Sequence, residues 1–203
     1  MTEETEMLDK NGLTEEEFLA SYNPAKYERP SVTVDIICIR GGKMLLIRRG
    51  GHPFIGKYAL PGGFCEPHEN VYEAAARELF EETGLKAQNL IQLPCFSDPD
   101  RDPRTRIITV PFITDCPLGN EHAGDDAGDA KWYSFSRKDI KVSDSVLSEI
   151  FFNNGETRFS VKVSKIKDET GTIGDPLYKV IENRFIAGDH PCVICCALDH
   201  LSL

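Results

Sequence analysis

Residues 60–85 read LPGGFCEPHENVYEAAARELFEETGL, and the chain's fold and chemistry are both decided there. Asn70 followed by Glu73 forms a capping box with Asn in the Ser/Thr position, Ala74, Ala75, Ala76 and Leu79 are good helix formers, and Gly84 after Thr83 supplies a left-handed stop. A helix between those caps carries Glu78, Glu81 and Glu82 at i, i+3 and i+4, so three carboxylates share one face at its C-terminal end. They repel one another, and the negative end of the helix dipole disfavours all three. A cation belongs there. Mg²⁺ fits, because it is held by a few carboxylates and completes its octahedron with water and phosphate oxygens; Mn²⁺ is the alternative.

Ahead of the helix, Leu60-Pro61-Gly62-Gly63-Phe64 reads as a strand end entering a glycine turn, where backbone without a side chain lets a ligand approach closely. The order is strand, glycine loop, acidic helix. Gly63, five residues, Glu69, seven residues, then RELFEETGL from Arg77 to Leu85 resembles the complete signature of the Nudix hydrolases, with every fixed position matched. Five fixed charged residues and two glycines at set offsets separate this match from a lone glycine motif. The competing reading is an exposed amphipathic helix with a solvated acidic face. The resemblance implies a loop and helix that bind divalent metal and the pyrophosphate of a nucleoside diphosphate linked to another group. It implies Glu78 and Glu82 as principal metal ligands, Glu81 as a further ligand or water-orienting group, the Gly63 carbonyl as a ligand, and Arg77 paired with Glu69 to brace loop against helix.

Pyrophosphate hydrolysis needs anionic oxygens neutralised, a water oriented or deprotonated and a leaving phosphate stabilised, and metal ions can supply all three without a protein nucleophile. The general base is open among Glu121, the pair Asp125-Asp126 and Glu81, with Glu121 first; it lies in a charged, glycine-containing loop that also suits an ordinary surface connection.

With 203 residues, 40% of them hydrophobic, the chain suits one core with extensions. It has no apolar run long enough to span a membrane, and an acidic segment follows Met1, so a cytoplasmic location is the expectation. A net charge of −10 argues against nonspecific nucleic-acid binding. The seven cysteines read as thiols. Cys192, Cys195 and Cys196, with His190 and His200 nearby, suggest zinc, but Val193, Ile194, Ala197 and Leu198 among them favour packing in a buried helix. Cys65 in the glycine loop is the thiol most open to oxidation.

Residues 1–30 form an acidic extension in which Thr14 and Glu17 cap a short helix through Phe18, Leu19 and Tyr22. That helix packs either on its own domain or on a neighbouring subunit of a homodimer, and both remain open. Residues 31–203 are expected to form the hydrolase domain that the resemblance implies. Strands are expected at 31–40 and 43–49 around the Gly41-Gly42 turn, then at 90–96, 106–113 and 130–135. Residues 145–152 read as a short helix, 157–164 and 177–181 as paired strands of a hairpin inserted at about 150–182, and 185–203 as a closing helix with an aspartate-histidine start. The pattern predicts an α/β protein with a mixed sheet between helices, and the resemblance implies the same α/β/α sandwich.

Substrate class rests on weaker pieces. Residues 97–104, SDPDRDPR, resemble the segment that marks ADP-ribose pyrophosphatases, with Pro99 near the place of their downstream proline. The stretches 48–54 and 56–60 resemble the strand and loop ahead of the box in the same group. Arg48, Arg49, Arg101 and Arg104 are planar donors suited to phosphate, or else solvated and structurally paired. Phe54, Tyr58 or Phe96 can stack on adenine or pack in the core. The implied reaction is ADP-ribose to AMP and ribose 5-phosphate. The alternatives are another nucleotide substrate, a nucleoside triphosphate or nucleotide sugar, or a non-catalytic ADP-ribose sensor; an intact box and the lack of a basic recognition helix in 137–203 count against the last.

Overall fold

The computed structural model describes residues 7–115, 127–166 and 177–203. Helix α1 (Glu15–Ser21) has the reciprocal Thr14–Glu17 capping box, yet it buries none of its residues, and Phe18, Leu19 and Tyr22 face solvent. Strand β1 (Ser31–Arg40) turns through Gly41 and Gly42 into β2 (Lys43–Arg49). The two pair directly only at Ile39↔Met44 and Arg40↔Lys43. Beyond that the strands part, and the chain from 58 to 64 fills the gap: β3 (Tyr58–Ala59) pairs with β2, and β4 (Gly62–Phe64) pairs with β1. Helix α2 (Val71–Thr83) follows, capped by Asn70 and stopped by Gly84 at φ 71°.

Next come β5 (Gln88–Gln92), β6 (Ile107–Asp115), β7 (Ala127–Val142), β8 (Ser145–Asn153), β9 (Arg158–Ile166), β10 (Leu177–Glu182) and α3 (His190–His200). The sheet runs β10-β9-β8-β7-β2-β1-β6-β5. β1 and β6 are parallel, and the other strand pairs are antiparallel, so the sheet is mixed.

Period-two alternation gives each strand two apolar faces and the sheet two cores. Val34, Ile36, Cys38, Leu45, Val110 and Phe112 pack with Ala74, Ala75 and Leu79 of α2. Ile37, Met44, Leu46, Ile113 and Tyr133 pack with Val193, Ile194, Ala197 and Leu198 of α3. One helix therefore covers each face, an α/β/α arrangement. Among the described residues no helix is long and apolar enough to cross a membrane.

Three expectations are corrected. Residues 145–152 are strand β8, not helix: Ser148, Ile150 and Phe152 are buried at alternate positions, and the segment pairs with β7 on one side and β9 on the other. The closing helix begins at His190 rather than Phe185. The Phe185 carbonyl and the Ala187 N–H instead bond the N–H and carbonyl of Tyr58, each at 2.8 Å, which holds that stretch extended. Cys38 is disulfide-bonded rather than a thiol. Cys192, Cys195 and Cys196 are buried free thiols, and burial pushes the first two up to about 12 and about 11, as packing residues rather than metal ligands require. Burial also raises Cys65, with Glu69 adding to it, which keeps that thiol protonated.

A polar cluster fastens α3 to the later strands. Arg137 bonds Asp139 and lies 2.7 Å from Asp199; Lys165 and the Tyr178 hydroxyl also reach Asp199, at 3.0 and 2.8 Å. Arg137 holds the Asp139 carboxyl well below the usual carboxylate range, with Ser148 assisting. A depressed folded pKa contributes stability that is complete above the unfolded value, here 3.8, and is lost as pH falls below it. Denaturant titrations between pH 6 and pH 2 should therefore show acid destabilisation that is shallower in Arg137→Gln than in the native protein. Parallel acid limbs would remove the pair from the stability balance.

Candidate active site

The parting of β1 from β2 builds the site. Gly62 sits at φ 155°, and a Cβ there would fall on the Val34 carbonyl, so the position takes no side chain. Its N–H donates to Glu82 Oε2 at 2.8 Å, tying the strand to the last turn of α2. A Cβ on Gly63 would strike the Glu78 carboxylate. Two glutamates from consecutive turns of α2 thus lie directly on the glycine backbone. Burial pushes Glu82 up to about 8; the Gly62 N–H opposes the shift, Glu78 and Asp35 add to it, and Arg49 opposes it. Glu78 is also raised, first by burial, with Arg77 opposing.

Arg77 organises the remaining carboxylates. Its Nε and Nη2 bond both oxygens of Glu69 at 3.0 and 2.6 Å, Nη1 bonds Glu78 and Glu81 at 2.9 Å each, and Nη2 also reaches the Phe64 carbonyl at 3.0 Å. Glu69 is held at about 2 by that guanidinium. Glu81 is exposed and turned to Arg77. Among the described residues, accordingly, no three acidic, histidine or cysteine side chains converge to hold a metal. The donor set that fits a hard divalent cation is the Glu78 and Glu82 carboxylates with the Gly63 backbone. All are oxygen donors, and the cradle between them is one that any side chain at position 63 would fill.

A cleft opens from this floor. It is lined by Glu82, Gly62 and Gly63, by Asp35 of β1, by Arg49, and by Asp189 and His190 at the start of α3. Arg101 and Arg104 also reach it, but both are already paired. Arg101 is 6% exposed and bonds both oxygens of Asp189 at 2.8 and 2.9 Å. Arg104 is engaged twice by Asp102 and lies over the Phe64 ring. Arg49 gives its Nε to the Pro53 carbonyl and, among the described residues, has no carboxylate partner. Arg48 is turned to the Gly56 carbonyl, and neither it nor the exposed Pro99 lines the cleft. Phe54 lines it beside Gly188, whereas Tyr58 and Phe96 pack on the core. Glu121, Asp125 and Asp126 lie outside the described residues.

Asp35, Asp189 and His190 escaped the sequence reading as a group. Asp35 carried a usable signal: a charged residue between Val34 and Ile36 in an otherwise apolar strand is rarely buried without a partner. Its partners, Thr109, Arg101 and His190, come from three distant segments.

The chain is similar to known proteins in sequence and in fold. An ADP-ribose pyrophosphatase from Methanocaldococcus jannaschii is 46% identical over 110 residues, which is 54% of this chain and 65% of that protein. The chain thus spans just under two thirds of that relative's length. A MutT/nudix family protein from Enterococcus faecalis superposes with a TM-score of 0.69 at 28% identity, covering 94% of this chain and 70% of that one. The NUDIX domain of Shewanella oneidensis NrtR, solved in complex with ADP ribose, superposes at 0.54 with 30% identity, over 59% of this chain and 82% of that one. The model of the NUDIX domain matches residues 29–146, more than half of the sequence, so the chain belongs to the NUDIX family.

Proposed function

We propose that this chain is a Mg²⁺-dependent pyrophosphohydrolase that converts ADP-ribose to AMP and ribose 5-phosphate. The observation that carries the reaction class is the pair Glu78 and Glu82 against side-chain-free backbone beside the cleft, where Glu78 shares the single guanidinium of Arg77 with Glu69 and Glu81. Burial raises both carboxyls, and a bound cation would stabilise their charged forms beyond what Arg77 gives Glu78 and the Gly62 N–H gives Glu82. Bound Mg²⁺ would neutralise pyrophosphate oxygens and lower the pKa of a water. Glu78, Glu82 and the Gly63 carbonyl would hold it. Arg77 and Glu69 brace the loop against the helix, and Glu81, exposed though bonded to Arg77, would orient water. Water adds to one phosphorus and the bridging P–O bond breaks, so both products leave as phosphate monoesters. Arg49 is the cleft cation available to a phosphate. Arg101, buried and bidentate to Asp189, braces the wall in preference to gripping substrate.

ADP-ribose as substrate is supported by the 46% identity to an ADP-ribose pyrophosphatase and by the likeness to a NUDIX domain solved with that ligand. Products decide it. With Mg²⁺, ADP-ribose should yield AMP and ribose 5-phosphate faster than nucleoside triphosphates yield pyrophosphate or nucleotide sugars yield sugar phosphate. Faster turnover of either alternative would reassign the substrate; binding of ADP-ribose without turnover of anything would make the protein a sensor.

Two sets of substitutions test the machinery. Glu82→Gln should lower kcat by at least about a hundredfold, the loss of a metal ligand being worth several kcal/mol. Without metal it should melt no lower than the native protein, since an amide replaces a buried carboxylate. The two glycines should separate fold from function. Gly62→Ala forces a left-handed backbone against the Val34 carbonyl and should cost about 2 kcal/mol or more in urea unfolding. Gly63→Ala meets only the end of a flexible side chain; it should change stability by less than about 1 kcal/mol while displacing Glu78 and removing most turnover. An active Gly63→Ala protein would take Glu78 out of the metal site.

A further inference from the structure

Beside Glu82 the cleft holds a donor and an acceptor that metal binding does not use. Asp35 pairs in register with Gly62, and the Gly62 N–H is bonded to Glu82, so the two carboxylates flank one glycine. Asp35 Oδ2 accepts the Thr109 hydroxyl at 2.6 Å and lies 3.9 Å from Arg101 Nη2. Asp35 Oδ1 faces His190 Nε2 at 3.7 Å, and among the described residues neither atom makes a hydrogen bond. That separation is too long for a direct bond and suits one bridging polar atom.

The tautomer of His190 is fixed by the backbone. Its Nδ1 accepts the Leu60 N–H at 3.1 Å, so the neutral ring carries its proton on Nε2. The gap is therefore bounded by one donor, Nε2–H, and one carboxylate acceptor. A single oxygen that accepts from the first and donates to the second belongs to a hydroxyl, or to the water that a hydroxyl would displace. A phosphate oxygen would meet the Asp35 charge with no proton to offer. A metal lacks a third ligand, since no group of three suitable side chains converges among the described residues. A purine edge presents a donor and an acceptor too, but a base is separated from its nearest phosphate by a whole ribose, whereas Asp35 adjoins the glycine that anchors Glu82.

We infer that Asp35 and His190 bind a ribose hydroxyl of the substrate next to its pyrophosphate and so select for an intact ribose; this rests on the pyrophosphohydrolase reading above. Arg101 is the positioning residue of the pair. Its two bonds to Asp189 fix the residue before His190, and its Nη2 gives Asp35 a nearby positive charge.

The test is steady-state kinetics with Mg²⁺ on ADP-ribose, on analogues lacking one ribose hydroxyl at a time, and on IDP-ribose, which lacks the adenine amine. In the native protein one deoxy analogue should lose about tenfold to a hundredfold in kcat/KM, and IDP-ribose should stay within about threefold of ADP-ribose. In His190→Phe the ratio of ADP-ribose to that analogue should fall to about two or less, and His190→Gln, which keeps a donor, should restore part of it. Asp35→Asn provides an independent compression of the same ratio, with thermal unfolding to verify that each variant is folded. Equal treatment of all deoxy analogues, sensitivity to IDP-ribose instead, or a ratio that survives both His190→Phe and Asp35→Asn would overturn the inference while leaving the hydrolase intact. No hydrolysis of ADP-ribose by the native protein would overturn the parent reading and the inference with it.

Discussion

The molecule is organised by backbone that must approach without side chains. Where β1 and β2 separate, residues 58–64 enter as a wedge, and the Ile36 N–H bonds the Pro61 carbonyl at 2.8 Å to seat it. Gly62 touches the Val34 backbone on one side and Glu82 on the other; Gly63 touches Glu78. A side chain at Gly62 would drive β4 off the β1 backbone, and one at Gly63 would push the Glu78 carboxylate aside. The same wedge sets the far wall. Tyr58 of β3 bonds Phe185 and Ala187, and Leu60 bonds His190, so a seven-residue segment fastens both the acidic helix and the start of α3 to one cleft.

Much of this was legible because its causes are local. The Asn70–Glu73 box and Gly84 specify α2 without reference to anything distant, and the 3.6-residue period then places Glu78, Glu81 and Glu82. Strands β1 and β2 were equally plain from β-branched residues around a glycine turn. Residues 145–152 were not, since VLSEIFF offers apolar residues at both helical and strand spacings, and only pairing with β7 and β9 chooses between them. The N-terminal stretch of the closing segment was misread for the same reason: Tyr58, well over a hundred residues away, takes its hydrogen bonds. Asp35, Arg101, Asp189 and His190 meet only in the fold, Arg101 and Asp189 lying 88 residues apart along the chain. Nothing local announces such a meeting beyond a charge in an apolar strand.

The distribution of charge in the cleft limits how an anionic substrate can be received. Asp35, Glu82, Asp102 and Asp189 all line it, and the two arginines most obvious in the sequence segment 97–104 are neutralised by two of them. A pyrophosphate entering such a cleft unaided would meet more carboxylate than free cation. Long-range attraction cannot help either, with a net charge of −10 on the chain. Arg49 alone among the cleft arginines lacks a carboxylate partner within the described residues, and one guanidinium does not balance a doubly charged diphosphate next to Glu82. On the reading proposed above, metal and substrate enter as a unit, or metal first, so that binding and catalysis share one condition. On the same reading, the uncharged part of a ligand carries recognition. Phosphate affinity would then come mainly from an exchangeable ion, leaving the chain's own fixed polar groups to discriminate among neutral hydroxyls, the role proposed for Asp35 with His190.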